Sequence, residues 1–385
     1  MVLEGVDLDN GQHILIGAYS ETMRLMRMVG ADPDRLLARF PFELRMASGF
    51  RLRAAKLPAP WHFAAGLLRA KGIGWRARAS AARLLAVHRR GNYRLPSDES
   101  VSAWLQRSRQ STAVCQALWN PLCTAALNTP VAHASAQVFL NVLRDTIEGG
   151  RAASDLLLPR ADLGALFPEP AAQFVASRGG TVRVGMPARS IALAGDGFQI
   201  DGRDERYTHV VVACSPQHLA PIVRGLPQLE SLVARVERFD YEPIYTCYLQ
   251  YREDVSLPFP MIGFSGGLLQ WVFDRGALSG HRGLIACVIS GSGEHEALSQ
   301  AELIVALHRE LALNLPGLAP PRWSRIIAEK RATFSCRPGL DRPGNETPIP
   351  GLVLAGDYTA SDYPATLETA ARSGVAAARL VLDQR

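Results

Sequence analysis

A carboxylate at the end of an apolar strand, just ahead of a helix, is the arrangement in this sequence best suited to holding a ligand. Leu352-Val353-Leu354-Ala355 is a short apolar run, Gly356-Asp357 ends it, and Pro364 precedes an Ala-rich helix expected from about Thr366 to Leu382. In α/β folds ligands sit in the crevice at the carboxyl ends of the strands. The open N–H groups and positive end of the helix suit an electron-rich or anionic group there. Asp357 suits the hydroxyls of a ribose or ribityl chain. An ordinary strand-to-helix connection also uses Gly and Asp as turn formers, so the spacing alone leaves both readings open.

Other chemistries find less support. Ser290-Gly291-Ser292-Gly293 lacks the strand-to-helix setting of a nucleophile elbow. His281 and His295 lie near Glu294 and Glu296 in a Gly-rich stretch without metal-ligand spacing, and are expected to face solvent. No metal site is expected. The six cysteines share no C-x-x-C spacing and read as free thiols of a reducing compartment.

The elements that must position these residues come from a chain of 385 residues, long enough for two subdomains. With 48% hydrophobic and 20% charged residues it reads as a globular protein leaning apolar. The N-terminus is acidic and polar without the apolar core of a signal peptide, and no uninterrupted apolar run is long enough to span a bilayer. A cytoplasmic location is expected, with peripheral attachment to the inner face of the cytoplasmic membrane. That attachment is suggested by charge. From Leu44 to Ser97 there are twelve Lys or Arg and no Asp or Glu, interleaved with Phe50, Trp61, Phe63, Leu67, Leu68, Trp75, Leu84 and Leu85. Such a surface can rest on anionic lipid. A solvated Arg-rich face is the competing reading, and without a recognisable nucleic-acid module no nucleic-acid partner is expected.

Residues 20–30 read as an amphipathic helix, with Met23, Met26 and Met28 as adaptable core. Thr181 to Gly185, Ala188 to Ala194, Gly197 to Asp201 and His209 to Cys214 read as strands. Tyr241 to Tyr251, Leu268 to Asp274, Gly283 to Ser290 and Trp323 to Phe334 alternate in the strand manner and suggest an antiparallel sheet, with a helix from Ser299 to Leu315 beside it.

Three separated stretches carry a family resemblance. Residues 351–374, GLVLAGDYTASDYPATLETAARSG, resemble the C-terminal flavin motif of the FAD-dependent amine oxidase and phytoene desaturase superfamily. Residues 9–19, DNGQHILIGAY, and 119–128, WNPLCTAALN, resemble a narrower branch, the squalene-associated FAD-dependent desaturases or hydroxysqualene dehydroxylases. The resemblance runs over nearly the whole chain.

It implies a mixed α/β, amine-oxidase-like fold. The FAD-binding domain would be residues 1–20, 170–222 and 338–385. A substrate domain of antiparallel sheet and helical lid would be 21–169 and 223–337. It implies FAD as cofactor, held near Gly11, Gln12, Ala188, Ala213, Gly356, Asp357, Thr366, Leu367 and Glu368. Thr369 stands where the family has Gly, which would crowd the flavin. It also implies a long isoprenoid substrate in an apolar tunnel, with Asn120 and Asn128 among its few polar groups. The implied reaction moves hydride to the carbinol carbon of hydroxysqualene with loss of water. Because hydroxide leaves poorly, a proton donor would help, and His13, Asp362 and Tyr363 are the candidates. A carotenoid desaturase or an amine oxidase are the enzyme alternatives. One departure opens a third. The family begins with a βαβ unit carrying G-x-G-x-x-G, and the first 50 residues here contain none. The expectation is an N-terminally incomplete FAD domain, with a non-catalytic remnant or interaction protein as the reading of another class.

Overall fold

The computed structural model describes residues 2–383. In chain order the elements used below are α1 (Ser20–Met28), β1 (Glu43–Arg45), β2 (Arg51–Arg53), α2 (Trp61–Leu68), α3 (Trp75–Arg90) and α4 (Asn120–Leu127). They continue with β3 (Val210–Val212), β4 (Tyr241–Gln250), β5 (Met261–Gly263), β6 (Trp271–Asp274) and β7 (Leu284–Ser290). Last come α5 (Gln300–Asn314), β8 (Trp323–Phe334), β9 (Leu352–Leu354) and α6 (Leu367–Asp383).

The chain divides into two compact units, 1–19, 31–169 and 241–338 against 20–30, 170–240 and 339–385. The sequence expectation grouped 1–20 with the C-terminal motif. In the structure the first nineteen residues belong with the sheet unit, because Gly17 and Ala18 donate to the carbonyls of Asp155 and Ala153 and Leu163 N donates to Asp9 Oδ1.

The first unit is built on a five-stranded sheet in the order β5-β6-β7-β4-β8, antiparallel throughout. Alternation in the sequence produces it: Cys247 and Leu249 on β4 and Ile285 and Cys287 on β7 point into one core. Leu303, Leu307 and Leu311 on α5 cover that core at helical spacing. Ser299 and Glu302 cap α5 reciprocally, which fixes its start.

The second unit has a smaller frame. β3 and β9 form a parallel pair with Val211 opposite Val353, and Ala377 of α6 packs against Val353 and Ala355. Ile191–Ala194, Gly197–Ile200 and Arg206–Tyr207 make a three-stranded antiparallel sheet. The strand expected at Thr181 to Gly185 does not form: residues 181–190 are exposed and 181–188 have no ladder partner among the described residues. An extended segment becomes a strand only when another edge accepts its hydrogen bonds.

Two further expectations are corrected. His295 is buried, because the Tyr245 ring stacks edge-on against it at 4.8 Å between centroids. Met28 is exposed, whereas Met23 and Met26 are core.

Candidate functional site

In the second unit, β9 is followed by Ala355, whose N–H donates to the Val212 carbonyl at 2.9 Å. This sets exposed Ala213 at the same carboxyl end as Gly356 and Asp357. Gly356 has φ +148°, and a Cβ there would lie 2.7 Å from the Tyr358 ring, so only glycine fits. Asp357 is half-buried. Burial raises its carboxyl above the usual aspartate value, opposed by the Arg342 guanidinium and by the N–H groups of Asp357 and Tyr358.

Arg342 holds the following loop. Its guanidinium donates to the carbonyls of Asp357 at 2.5 Å, Tyr358 at 3.4 Å, Ser361 at 3.1 Å and Tyr363 at 2.6 Å. A planar fork with five donors can serve four carbonyls at once; a lysine cannot. Asn345 adds bonds to the Leu354 carbonyl and to Ser373. Tyr363 lies under the Arg372 guanidinium, 4.9 Å from its ring centroid, while Asp362 is exposed.

Thr366 caps α6 by accepting from Thr369 N at 3.1 Å. Thr369, expected to crowd a ligand, turns its hydroxyl back onto the Pro364 carbonyl at 2.8 Å. Leu367 is exposed. Glu368 is buried, and its carboxylate accepts from Glu21 N, Thr22 N, Thr22 Oγ1 and Arg372 Nε. Its bonds thus cap α1 and fasten that helix to α6. Ala188 lies in the unpaired segment 181–188.

In the first unit, Gly11, Gln12 and His13 sit on a loop pinned by side chains far away in sequence. Gln12 Nε2 donates to Tyr248 Oη at 2.8 Å, Tyr248 donates to the Asp9 carbonyl at 3.0 Å, and Arg275 donates to Gln12 Oε1 at 3.3 Å. Burial pushes the Tyr248 phenol up to about 12, so it stays a neutral donor. Burial also raises Asp9, opposed by the Leu163 N–H and Arg275. His13 is exposed to solvent yet is held below the ordinary histidine value by desolvation, with Asp9 opposing.

Asn128 closes α4 in the left-handed region at φ 46° and donates to Thr333 Oγ1 at 2.8 Å. Its Oδ1 is buried without a partner among the described residues, and Trp119 is core. Asn120 is half-buried at the start of α4.

Sequence reasoning missed Tyr248, Arg275 and Arg342. Their partners lie tens to hundreds of residues away or are backbone carbonyls, so no local pattern marked them. Among the described residues no cluster of His, Cys, Asp or Glu could hold a metal, and no helix is long and apolar enough to cross a membrane.

A parallel strand pair ending in Gly-Asp before a capped helix, in a chain that also carries a unit built on a large antiparallel sheet, defines a class of α/β cofactor-binding oxidoreductase. The fold agrees with solved structures: a putrescine oxidase triple mutant matches at TM-score 0.70 and 14% identity over all of this chain and 90% of that one. The flavin containing amine oxidoreductase family matches residues 2–382, and the chain belongs to it. By family it is a flavin-dependent oxidoreductase, with FAD as the cofactor. A Sinorhizobium fredii protein named hydroxysqualene dehydroxylase is 29% identical over 69% of this chain, which spans 62% of that relative's length. One of the same name from Rhodopseudomonas palustris is 28% identical over 98% of this chain and 87% of its own. A zeta-carotene desaturase of Arabidopsis thaliana is 22% identical over 98% of this chain and 77% of its own.

The residues fit one end of FAD. Gly356, half-buried Asp357 and the start of α6 suit the ring and polyol end. The adenosine diphosphate end finds no match: among the described residues no buried strand runs into a G-x-G-x-x-G turn opening a helix. The glycines at 263–267 offer no substitute, because Glu310 accepts from Leu268 N and Leu269 N at 2.9 Å and fills that turn.

Proposed function

We propose that this chain acts on a long isoprenoid, reductively dehydroxylating hydroxysqualene to squalene. The observation that carries the reading is the match to hydroxysqualene dehydroxylases over 98% of the chain, joined to a flavin-family fold whose Gly356–Tyr363 loop is stapled by one arginine. The reduced form of FAD, when bound, would supply the hydride and be left oxidised. The chain's own residues orient the partners and move the proton. Overall the carbinol R–OH gains a hydride and a proton and leaves as R–H and water. Asp357 and the capped start of α6 orient the polyol end of the cofactor. Asn128 Oδ1, buried and unpartnered, suits a polar group on an otherwise hydrocarbon substrate.

His13 is the proton donor in this reading. Desolvation holds its imidazole below the ordinary histidine value. A rate that needs the imidazolium therefore rises as pH falls towards that lowered value. The phenol of Tyr363 is the alternative donor.

The test starts with colour. Protein purified with added FAD should show flavin absorbance, and the anaerobically reduced protein should convert hydroxysqualene to squalene. His13→Gln should abolish the acid limb of the rate profile. The Arabidopsis match supports a second reading, hydrogen removal from a carotenoid precursor. Conversion of phytoene without conversion of hydroxysqualene would select it. A colourless protein that refuses FAD would sink both for this chain and leave the binding-protein reading.

A further inference from the structure

We propose that the hairpin of α2 and α3 is a docking surface for an anionic lipid bilayer. The inference rests on the surface of the first unit and is independent of the reaction proposed above.

Helix α2, WHFAAGLL, carries no charged Asp, Glu, Lys or Arg. His62, Phe63, Gly66 and Leu67 face inward, and Gly66 lies so close to the Arg53 carbonyl that a Cβ would stand 2.5 Å from it. The opposite stripe, Trp61, Ala64, Ala65 and Leu68, follows the i, i+3, i+4, i+7 spacing of one helix face. That stripe is also apolar, yet Trp61 is 60% and Leu68 56% exposed. A helix apolar on both faces needs a second apolar neighbour beyond the core it already packs on. Leu57 just before it and Trp75, 67% exposed at the start of α3, extend the patch. Arg78 donates to the Leu68 carbonyl at 2.9 Å and joins the end of α2 to α3, so the patch is preformed.

The charges around the patch are sorted. Away from it, Arg45, Arg51 and Arg53 converge on buried Glu43, and Arg89 pairs with Glu148. Around it, Lys56, Arg69, Lys71, Arg76 and Arg83 are exposed, and no ion pair involves them among the described residues. Arg76 lies over the Trp75 ring, 5.6 Å from its centroid, and cations outside any ion pair around Trp and Leu complement a surface that is anionic outside and hydrocarbon inside. Tryptophan favours the headgroup level of such a surface. Nucleic acid would take the cations and could stack on Trp61 and Trp75, but it offers nothing to Leu57, Leu68 and the alanines between. The hairpin would lie on the bilayer without crossing it.

The experiment is co-sedimentation of the full chain with phosphatidylcholine vesicles, with and without phosphatidylglycerol, at low and raised salt, alongside tryptophan fluorescence. The expected result is binding only to the phosphatidylglycerol vesicles, weakened by salt, with a blue shift of the emission. Each cation near the surface is worth about a five-fold change in affinity. The triple variant Arg69→Glu, Lys71→Glu, Arg76→Glu should therefore lose on the order of 100-fold or more. The pair Trp61→Ser, Trp75→Ser should lose at least about 10-fold and abolish the blue shift while keeping the salt dependence. All five residues are exposed, so circular dichroism and the thermal midpoint should match the parent; should either variant unfold, the lipid comparison on the parent decides. Equal binding to neutral vesicles, undiminished binding by the triple variant, or binding of single-stranded RNA in preference to the vesicles would overturn the proposal.

Discussion

The five-stranded sheet of the first unit and the β3–β9 pair of the second hold themselves together by different means. In the first unit, β4 pairs with β7 along seven residues and with β8 along nearly its whole length, and the core on one face is closed by α5. In the second unit, β3 and β9 share a register of only three residues. There the frame depends on single side chains: Glu368 on α1, Arg342 across residues 357–363, and Asn345 between Leu354 and Ser373. A ladder spreads its energy over many bonds and tolerates the loss of one. A staple concentrates it, and places conformational control of the Gly356–Tyr363 loop in a few residues.

The comparison can be broken most strongly in the ladder's core. Leu249→Ala removes a fully buried side chain on β4 and should cost about 2–5 kcal/mol, read as a lower urea midpoint at unchanged m. A loss under about 1 kcal/mol would show that this sheet is not the stable element. Glu368→Ala comes next. It leaves Glu21 N, Thr22 N, the Thr22 hydroxyl and Arg372 without their acceptor and should cost about 2–3 kcal/mol. Glu368→Gln should recover part of that, and a silent Ala variant would remove the staple argument.

Arg342→Lys sharpens the comparison further. Lysine keeps the charge and loses the planar fork, so about 1 kcal/mol of global stability is expected to go. Amide exchange across 357–363 should accelerate while β4 and β7 stay protected; equal acceleration in both would contradict a local staple. The smallest effect lies in the first unit, at the β1–β2 hairpin. Burial would raise the Glu43 carboxyl, but hydrogen bonds from Arg45 and Arg51 outweigh it and hold the value below 4.5. A depressed folded value contributes stability above the unfolded one and loses it as pH falls through the folded one. Glu43→Gln should flatten that acid loss. Because the arginines keep part of their side chains in water, the difference should stay under about 1 kcal/mol, measured as urea midpoints at pH 7 and pH 3.

Much of this was written locally in the chain. Alternation marked β4, β6, β7 and β8; apolar residues at helical spacing marked α5; and the apolar run before Gly356-Asp357 marked β9 and the helix after it. These signals are short-range, since side-chain period and backbone freedom act within a few residues. The run Thr181 to Gly185 carried the same strand signal and is unpaired, because pairing is decided by whether a partner edge is present. Tyr248 and Arg275 reach the loop at Gln12 across more than 230 residues of chain. His295 is buried by a tyrosine fifty positions away. The sequence therefore determined the family, the elements and the Gly-Asp turn. The tertiary structure alone decided which side chains fix the two loops, which cations near Trp61 and Trp75 stay out of ion pairs, and which carboxylates are committed to helix ends. Those outcomes depend on packing between distant segments, where burial and hydrogen-bond geometry, and no local propensity, set the energy.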